Sequence, residues 1–319
     1  MSGAASGQID IVMYHYVRDL KRSRYPEIKG RDLESFHGQL DYIQQNYHVL
    51  NHSELLGWLD GSWQDPPRKA ALLTFDDGYM DHYLNVFPAL HVRGLTGFFF
   101  PPGGSVVEGK VLDVNKVHFM LASEPEPGPI IEAMRAWVGT HQEAFGLKPW
   151  ETYQQAFAKA SRFDTAEVIL IKRLLQVGLP EAARRLLTAE LFTRFVTADE
   201  AAFSAELYMG LDQMRLMHRC GMVFGCHGYA HDWMNQLALK SLKQDLDLGL
   251  DFLAQIGISQ QSWIMCYPYG AWSETLLGLL RARGCVAGFT TEVASADPSC
   301  HDALLLPRLD TNDLPLSVS

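Results

Sequence analysis

Short apolar runs that alternate with helical patterns constrain this chain more than any other feature, because parallel strands need crossover helices between them. The first runs are Ile9–Tyr14, residues 70–75 (AALLTF) and Gly97–Phe100, with amphipathic helical patterns over 32–47 and 83–91. The rhythm resumes late in the chain. A helical pattern over 206–220 precedes an apolar run at 222–226, and Ser241-x-x-Gln244 reads as a capping box opening a helix that runs to residue 256. Further strands are expected at 262–267, 285–290 and 304–309, with a helix over 273–283. The pattern predicts a mostly parallel α/β fold.

Between these two stretches the strands stop. Asp164-x-x-Glu167 and Thr197-x-x-Glu200 read as helix starts, Pro180 suits a first helical turn, and no strand-like alternation intervenes. Residues 104–205 therefore read as a helical insertion that divides the α/β domain into 1–103 and 206–319. With 319 residues, 47% of them hydrophobic, the chain can bury a core without disulfide or metal staples.

Asp and Glu outnumber Lys and Arg by 37 to 27, and the formal charge of −10 argues against a general grip on nucleic acid or an anionic membrane. The five cysteines (Cys220, Cys226, Cys266, Cys285, Cys300) are odd in number and lack CxxC spacing, so they read as reduced thiols. Residues 1–8 show no basic or apolar leader pattern, and the apolar runs are strand-sized. A cytoplasmic setting is expected, although a trimmed secretion signal would leave the same N-terminus.

Four polar clusters fall at the ends of predicted strands, where parallel α/β folds gather ligands and catalytic groups. Thr74-Phe-Asp-Asp-Gly78 carries two carboxylates on successive residues. One could bind a metal while its neighbour reaches a water, or the pair could be ordinary turn chemistry. His227-Gly-Tyr-Ala-His231 places two imidazoles on one face of a helical turn, which suits one Zn²⁺-like ion or two hydrogen-bonded structural histidines. Glycine at 228 leaves no zincin glutamate, so a base and a third ligand would come from Asp76 and Asp77. Cys266-Tyr-Pro-Tyr-Gly270 could aim a backbone N–H at a developing oxyanion, or be a structural turn. Met13-Tyr-His-Tyr-Val17 adds His15 at the same end, with a hydrogen-bonded core residue as the alternative. Their coincidence predicts an enzyme.

In this order, Thr74–Gly78, His227-x-x-x-His231 and Tyr267-Pro-Tyr-Gly270 resemble the motifs of the polysaccharide deacetylases of carbohydrate esterase family 4, over residues 8–103 and 206–313. The resemblance implies a deformed, seven-stranded (β/α) barrel interrupted by the helical insertion. It implies Asp77, His227 and His231 as ligands of a divalent ion, Zn²⁺ first among the choices, and Asp76 as general base. The implied enzyme is a hydrolase of carbon–nitrogen bonds. It would be a metal-dependent N-deacetylase releasing acetate from an N-acetylated sugar; the missing leader pattern, the reduced cysteines and the helical insertion point to a soluble sugar or glycan precursor. In the implied mechanism Asp76 takes the proton of an attacking water, the Tyr269 backbone N–H helps the oxyanion, and an acid protonates the leaving amine.

Two positions depart from the family. Arginine often stands where this chain has Cys266, and Arg308 in Leu306-Pro-Arg-Leu-Asp310 is one substitute. The late Leu-x-His motif that carries the family's acid is not evident; His15 is the preferred substitute, because Met13-Tyr14-His15 resembles a strand-one motif of some branches of the family. Among Trp58, Trp63, Trp233, Trp263 and Trp272, Trp233 and Trp272 follow motif residues closely and are expected to wall the site. The insertion is expected to act as a lid favouring small substrates. Two competing readings keep less of this picture. One is a metal-dependent hydrolase of a non-sugar linear or cyclic amide; the other is a silent scaffold binding a partner through the insertion.

Overall fold

A computed structural model describes residues 7–63, 69–161 and 164–316, so most of the N-terminal segment read for a leader lies outside the described residues. Its strands are β1 (Ile9–Tyr14), β2 (Val17–Arg18), β3 (Arg31–Asp32), β4 (His48–Val49), β5 (Ala70–Asp76), β6 (Gly97–Phe100), β7 (Val223–Phe224), β8 (Trp263–Cys266), β9 (Cys285–Phe289) and β10 (Leu309–Asp310). Every residue of β5 is buried, as a strand covered on both faces requires.

The main sheet runs β10-β1-β5-β6-β7, with β4 also on β5, and each of these pairings is parallel. β8 and β9 pair parallel to each other, and single parallel bridges join Cys226 to Met265 and Phe289 to Leu306. This bears out the α/β reading. Period-two alternation sorts the strands onto two faces. Ile11, Leu72, Phe98, Phe100, Ile264 and Phe289 share one apolar cluster, while Val12, Leu73, Phe75 and Phe99 join another with the apolar faces of the crossover helices.

The helix Leu33–Asn46 starts on an Asp32 cap, close to its expected bounds. Other starts differ. The helix Leu239–Ile256 follows Ala238, so Ser241 and Gln244 lie inside it and form no capping box. Thr165 and Asp199, rather than Asp164 and Thr197, accept the backbone N–H three residues on. Several polar side chains in a row can each supply a cap, and helix packing selects among them.

The expected run at 222–226 pairs regularly only over Val223–Phe224. Gly225 N–H donates to Phe99, whereas Cys226 N–H donates to Ile264, so the chain changes partner strand just before His227. A Cβ on Gly225 would lie 2.4 Å from the Phe100 ring, which reserves that crossing for glycine.

The chain divides into two compact units. One comprises Met1–Asp19, Gly30–Gly109 and Ala205–Ser319; the other comprises Leu20–Lys29 with Lys110–Ser204. The second unit holds the helices Asp113–Ser123, Gly128–Phe145, Trp150–Phe157, Ala166–Arg173 and Glu181–Phe195. Leu20–Lys29, read from sequence as part of the first α/β segment, groups here for a physical reason. The Tyr25 ring packs edge-on against Phe119 at 4.9 Å, and Lys29 pairs with Asp164. Among the described residues, no helix is long and apolar enough to cross a membrane.

Candidate metal centre

β5 delivers both motif carboxylates. Asp76 is its last residue, in register with Phe100, and Asp77 donates its N–H to the Phe100 carbonyl at 3.1 Å. The chain then reverses through two left-handed residues, Asp77 (φ 71°) and Gly78 (φ 68°). At Gly78 a Cβ would meet the Pro101 side chain at 2.6 Å, so the DDG turn needs its glycine.

His227 follows the crossing at Gly225. Its Nδ1–H donates to the Cys266 carbonyl at 2.7 Å, which directs Nε2 the other way. His231 reaches the same place along a loop, not the helical turn expected from the spacing: Gly228 (φ 68°) and His231 (φ 58°) are both left-handed. The helical bonds missing from this loop are replaced by Asp245, whose carboxylate accepts the N–H groups of Tyr229 at 3.0 Å and Ala230 at 2.8 Å.

The two Nε2 atoms lie 3.5 and 3.3 Å from Asp77 Oδ1, and all three side chains are buried. Asp77 Oδ2 accepts a 2.5 Å hydrogen bond from Tyr79, whereas buried Oδ1 has no hydrogen-bond partner among the described residues. A buried carboxylate oxygen without a donor, facing two imidazole nitrogens, is the arrangement a divalent cation would satisfy. The donor set fits the expected ion: its three ligand atoms lie within 4.8 Å of one another. Burial opposes charge on Asp77, yet the neighbouring imidazoles hold its carboxyl well below the usual range.

Asp76 has a different environment. Arg308 grips it with two nitrogens, Nη1 to Oδ1 at 3.0 Å and Nη2 to Oδ2 at 2.9 Å. Arg308 is itself fixed by donating Nε–H to the Thr290 carbonyl and Nη1–H to Thr74 Oγ1. Burial raises the Asp76 pKa, but the charges of Arg308, His227 and His15 outweigh it and bring it to about 2. Cys266 Sγ stands 3.5 Å from both carboxylate oxygens. His15 Nε2 is 3.9 Å from Oδ2, and its side chain is 41% exposed.

Tyr269 lies at the third motif with a left-handed backbone (φ 58°, ψ 12°). Its ring contacts His231 at 4.9 Å and stacks on Trp233 at 4.4 Å, nearly parallel. Trp272 is exposed, whereas Trp58 and Trp263 are buried in the core. Asp76, Asp77, His227, His231, His15, Arg308 and Tyr269 therefore occupy one neighbourhood. Sequence reasoning missed Tyr79, Asp245 and the Cys266 contact. Tyr79 adjoins the DDG motif and its hydroxyl was readable there; Asp245 carries no local signal.

Residues 191–288 match the family described as polysaccharide deacetylase, a span that holds both histidines and the Tyr-Pro-Tyr-Gly turn. YxkH of Bacillus subtilis (strain 168), named provisionally as a polysaccharide deacetylase, is 29% identical over 100 residues, 31% of this chain; the chain spans about a third (33%) of that relative's length. Among solved structures, the deacetylase PplD of Streptococcus pyogenes, in complex with acetate, superposes with a TM-score of 0.59 at 16% identity, covering 95% of this chain and 92% of that one. IcaB from Ammonifex degensii gives 0.53 at 19% identity, covering 95% and 92%. The BpsB deacetylase domain from Bordetella bronchiseptica gives 0.53 at 13% identity, covering 97% and 98%. These structures share the fold. The resemblance to polysaccharide deacetylases drawn from the motifs is borne out.

Proposed function

We propose that this chain is a metal-dependent N-deacetylase that hydrolyses the acetamide of an N-acetylated sugar or soluble glycan precursor. The observation that carries the reading is buried Asp77 Oδ1, without a hydrogen bond among the described residues and within 3.5 Å of two imidazole nitrogens, one residue from a carboxylate clamped by Arg308. We read the scaffold as the seven-stranded barrel of that family, since the bridges Cys226–Met265 and Phe289–Leu306 continue the strand order from β7 through β8 and β9 back towards β10.

A divalent ion on Asp77, His227 and His231, Zn²⁺ by preference, would supply Lewis acidity at the acyl oxygen and to a water. Asp76, ionised at neutral pH, accepts a proton from the water that adds to the acyl carbon. Arg308 holds the carboxylate in position throughout and takes the place of the family's arginine at 266. The carbon–nitrogen bond then breaks, and His15 gives a proton to the departing amine. Acetate and a free amine result. Tyr269 packs on His231 and is backed by Trp233, a pair we assign to the substrate wall, and the Tyr269 backbone N–H is assigned to the oxyanion by its motif. The cytoplasmic setting belongs to the same proposal and rests on cysteine usage.

Metal analysis of the wild type and His227→Ala, paired with acetate release from a panel of N-acetylated sugars, tests the reading. The wild type should hold one equivalent of metal and release acetate; the variant should lose both. Turnover of cyclic imides in place of N-acetyl sugars, or equal activity in two metal-free proteins, would overturn it.

A further inference from the structure

Among the described residues, no side chain clamps the His15 imidazole as Arg308 clamps Asp76, so its placement depends on the backbone that carries it. Past β1 that backbone is gripped by three side chains from one short segment. His82 Nε2–H donates to the His15 carbonyl at 2.9 Å. Asp81 Oδ2 accepts the Val17 N–H at 3.2 Å and Arg18 Nε–H at 2.7 Å. Asn85 Nδ2 donates to the Val17 carbonyl at 2.8 Å. The segment His82–Val86 is a π-helical turn, a form that concentrates at functional sites.

His82 is fully buried among the rings of Phe75, Tyr79 and Phe99, and its Nδ1 has no hydrogen-bond partner among the described residues. Burial pushes its pKa down to about 4, so it stays neutral with its one N–H on Nε2. A neutral imidazole in an apolar cage, spending its single donor on the His15 carbonyl, is a costly way to fill a core position.

We infer that His82 is a positioning residue for His15, and that Asp81, His82 and Asn85 together fix the His15 backbone so that its imidazole stands beside Asp76. The inference rests on the proposed role of His15 as the acid. Displacing an acid by about 1 Å costs roughly 100-fold when the leaving group needs its proton. A leaving group that departs as a stable anion needs none. Loss of His82 should therefore separate amide from activated-ester hydrolysis, which general loosening of the site would not.

The test compares His82→Phe, His82→Gln, Asn85→Ala and His15→Ala in the metal-loaded enzyme, on N-acetylglucosamine oligosaccharides and on 4-nitrophenyl acetate. His82→Phe preserves ring packing and removes the donor; glutamine restores an N–H near the Nε2 position. For the amide, kcat should fall about 10- to 100-fold in His82→Phe with KM little changed, while ester hydrolysis and metal content are kept. His82→Gln should recover most of kcat, and Asn85→Ala should show the same selectivity more weakly, including if His82→Phe fails to fold. Equal loss on both substrates, or no recovery with glutamine, would overturn the inference. His15→Ala separates the two levels. If it cleaves the amide at the wild-type rate, the acid assignment has failed; if it loses the amide selectively while His82→Phe and Asn85→Ala lose nothing, only the clamp has failed.

Discussion

Replacing Arg308 with leucine should damage the site in a way that depends on pH. Arg308 and Asp76 are 1% and 2% exposed, and the guanidinium contacts both carboxylate oxygens. Asp76 falls from 3.8 to about 2 in the folded protein, which corresponds to about 2 kcal/mol in favour of the folded state at neutral pH. Removing the arginine costs more, because the carboxylate then stays buried without its partner; broken buried pairs cost about 3–5 kcal/mol. The sign follows from the direction of the shift. In the wild type the folded pKa lies below the unfolded one, so the contribution is complete above about pH 4 and lost as pH falls towards 2, with roughly half left at pH 3. In Arg308→Leu burial meets less opposition, the Asp76 pKa rises, and protonation at low pH relieves the variant. Urea unfolding of the chelator-treated proteins, with midpoints compared at unchanged m, should show a gap of about 3–5 kcal/mol at pH 7 that narrows markedly by pH 3. A gap equal at both pH values, or none at pH 7, would refute the assigned coupling.

Asp76→Asn should keep its metal and lose about 10²- to 10⁴-fold in kcat, checked by metal analysis beside acetate release. Tyr79→Phe removes the 2.5 Å hydrogen bond to Asp77 Oδ2; metal affinity, measured by chelator competition, should weaken about 10- to 100-fold with the fold retained. Ser262→Gly relieves a left-handed residue outside the site (φ 59°). The strain relieved is about 1–2 kcal/mol and glycine's added unfolded-state freedom takes back about 0.5–1, so thermal stability should rise slightly with activity unchanged. Tyr269→Gly relieves similar strain but removes the ring stacked on Trp233, so KM for the sugar should rise instead.

The alternation of apolar runs and helices was enough to read the α/β class, because each buried strand must be apolar on both faces and each crossover helix on one. The site was legible where its residues sit together in sequence: Asp76 with Asp77, His227 with His231, and Tyr269 in its turn. Where geometry comes from the tertiary fold, the sequence misled or was silent. The four-residue histidine spacing suggested a helix, yet Asp245, contributed by the helix Leu239–Ile256, holds an irregular loop instead. The Asp76–Arg308 contact spans 232 residues, and only a missing motif arginine hinted at it. Leu20–Lys29 looked continuous with its neighbours because the aromatic contact that draws Tyr25 to Phe119 has no local periodicity.

Backbone strain supports the site by a route that owes nothing to motif matching. Among the described residues, the non-glycines with positive φ are Asp77, His231, Ser262 and Tyr269, and three of these four line the candidate centre. Each such residue costs about 1–3 kcal/mol and persists only where its surroundings over-determine it. The surroundings here do so. Asp77 is held by the Phe100 carbonyl on one side and Tyr79 on the other. His231 ends a loop whose N–H groups are taken by Asp245, and Tyr269 is pressed flat on Trp233. A relaxed helical turn would leave His231 free of this strain but would not need the Asp245 anchor. Both features give up local stability to hold two imidazoles around one carboxylate oxygen, the arrangement that the proposed metal site requires.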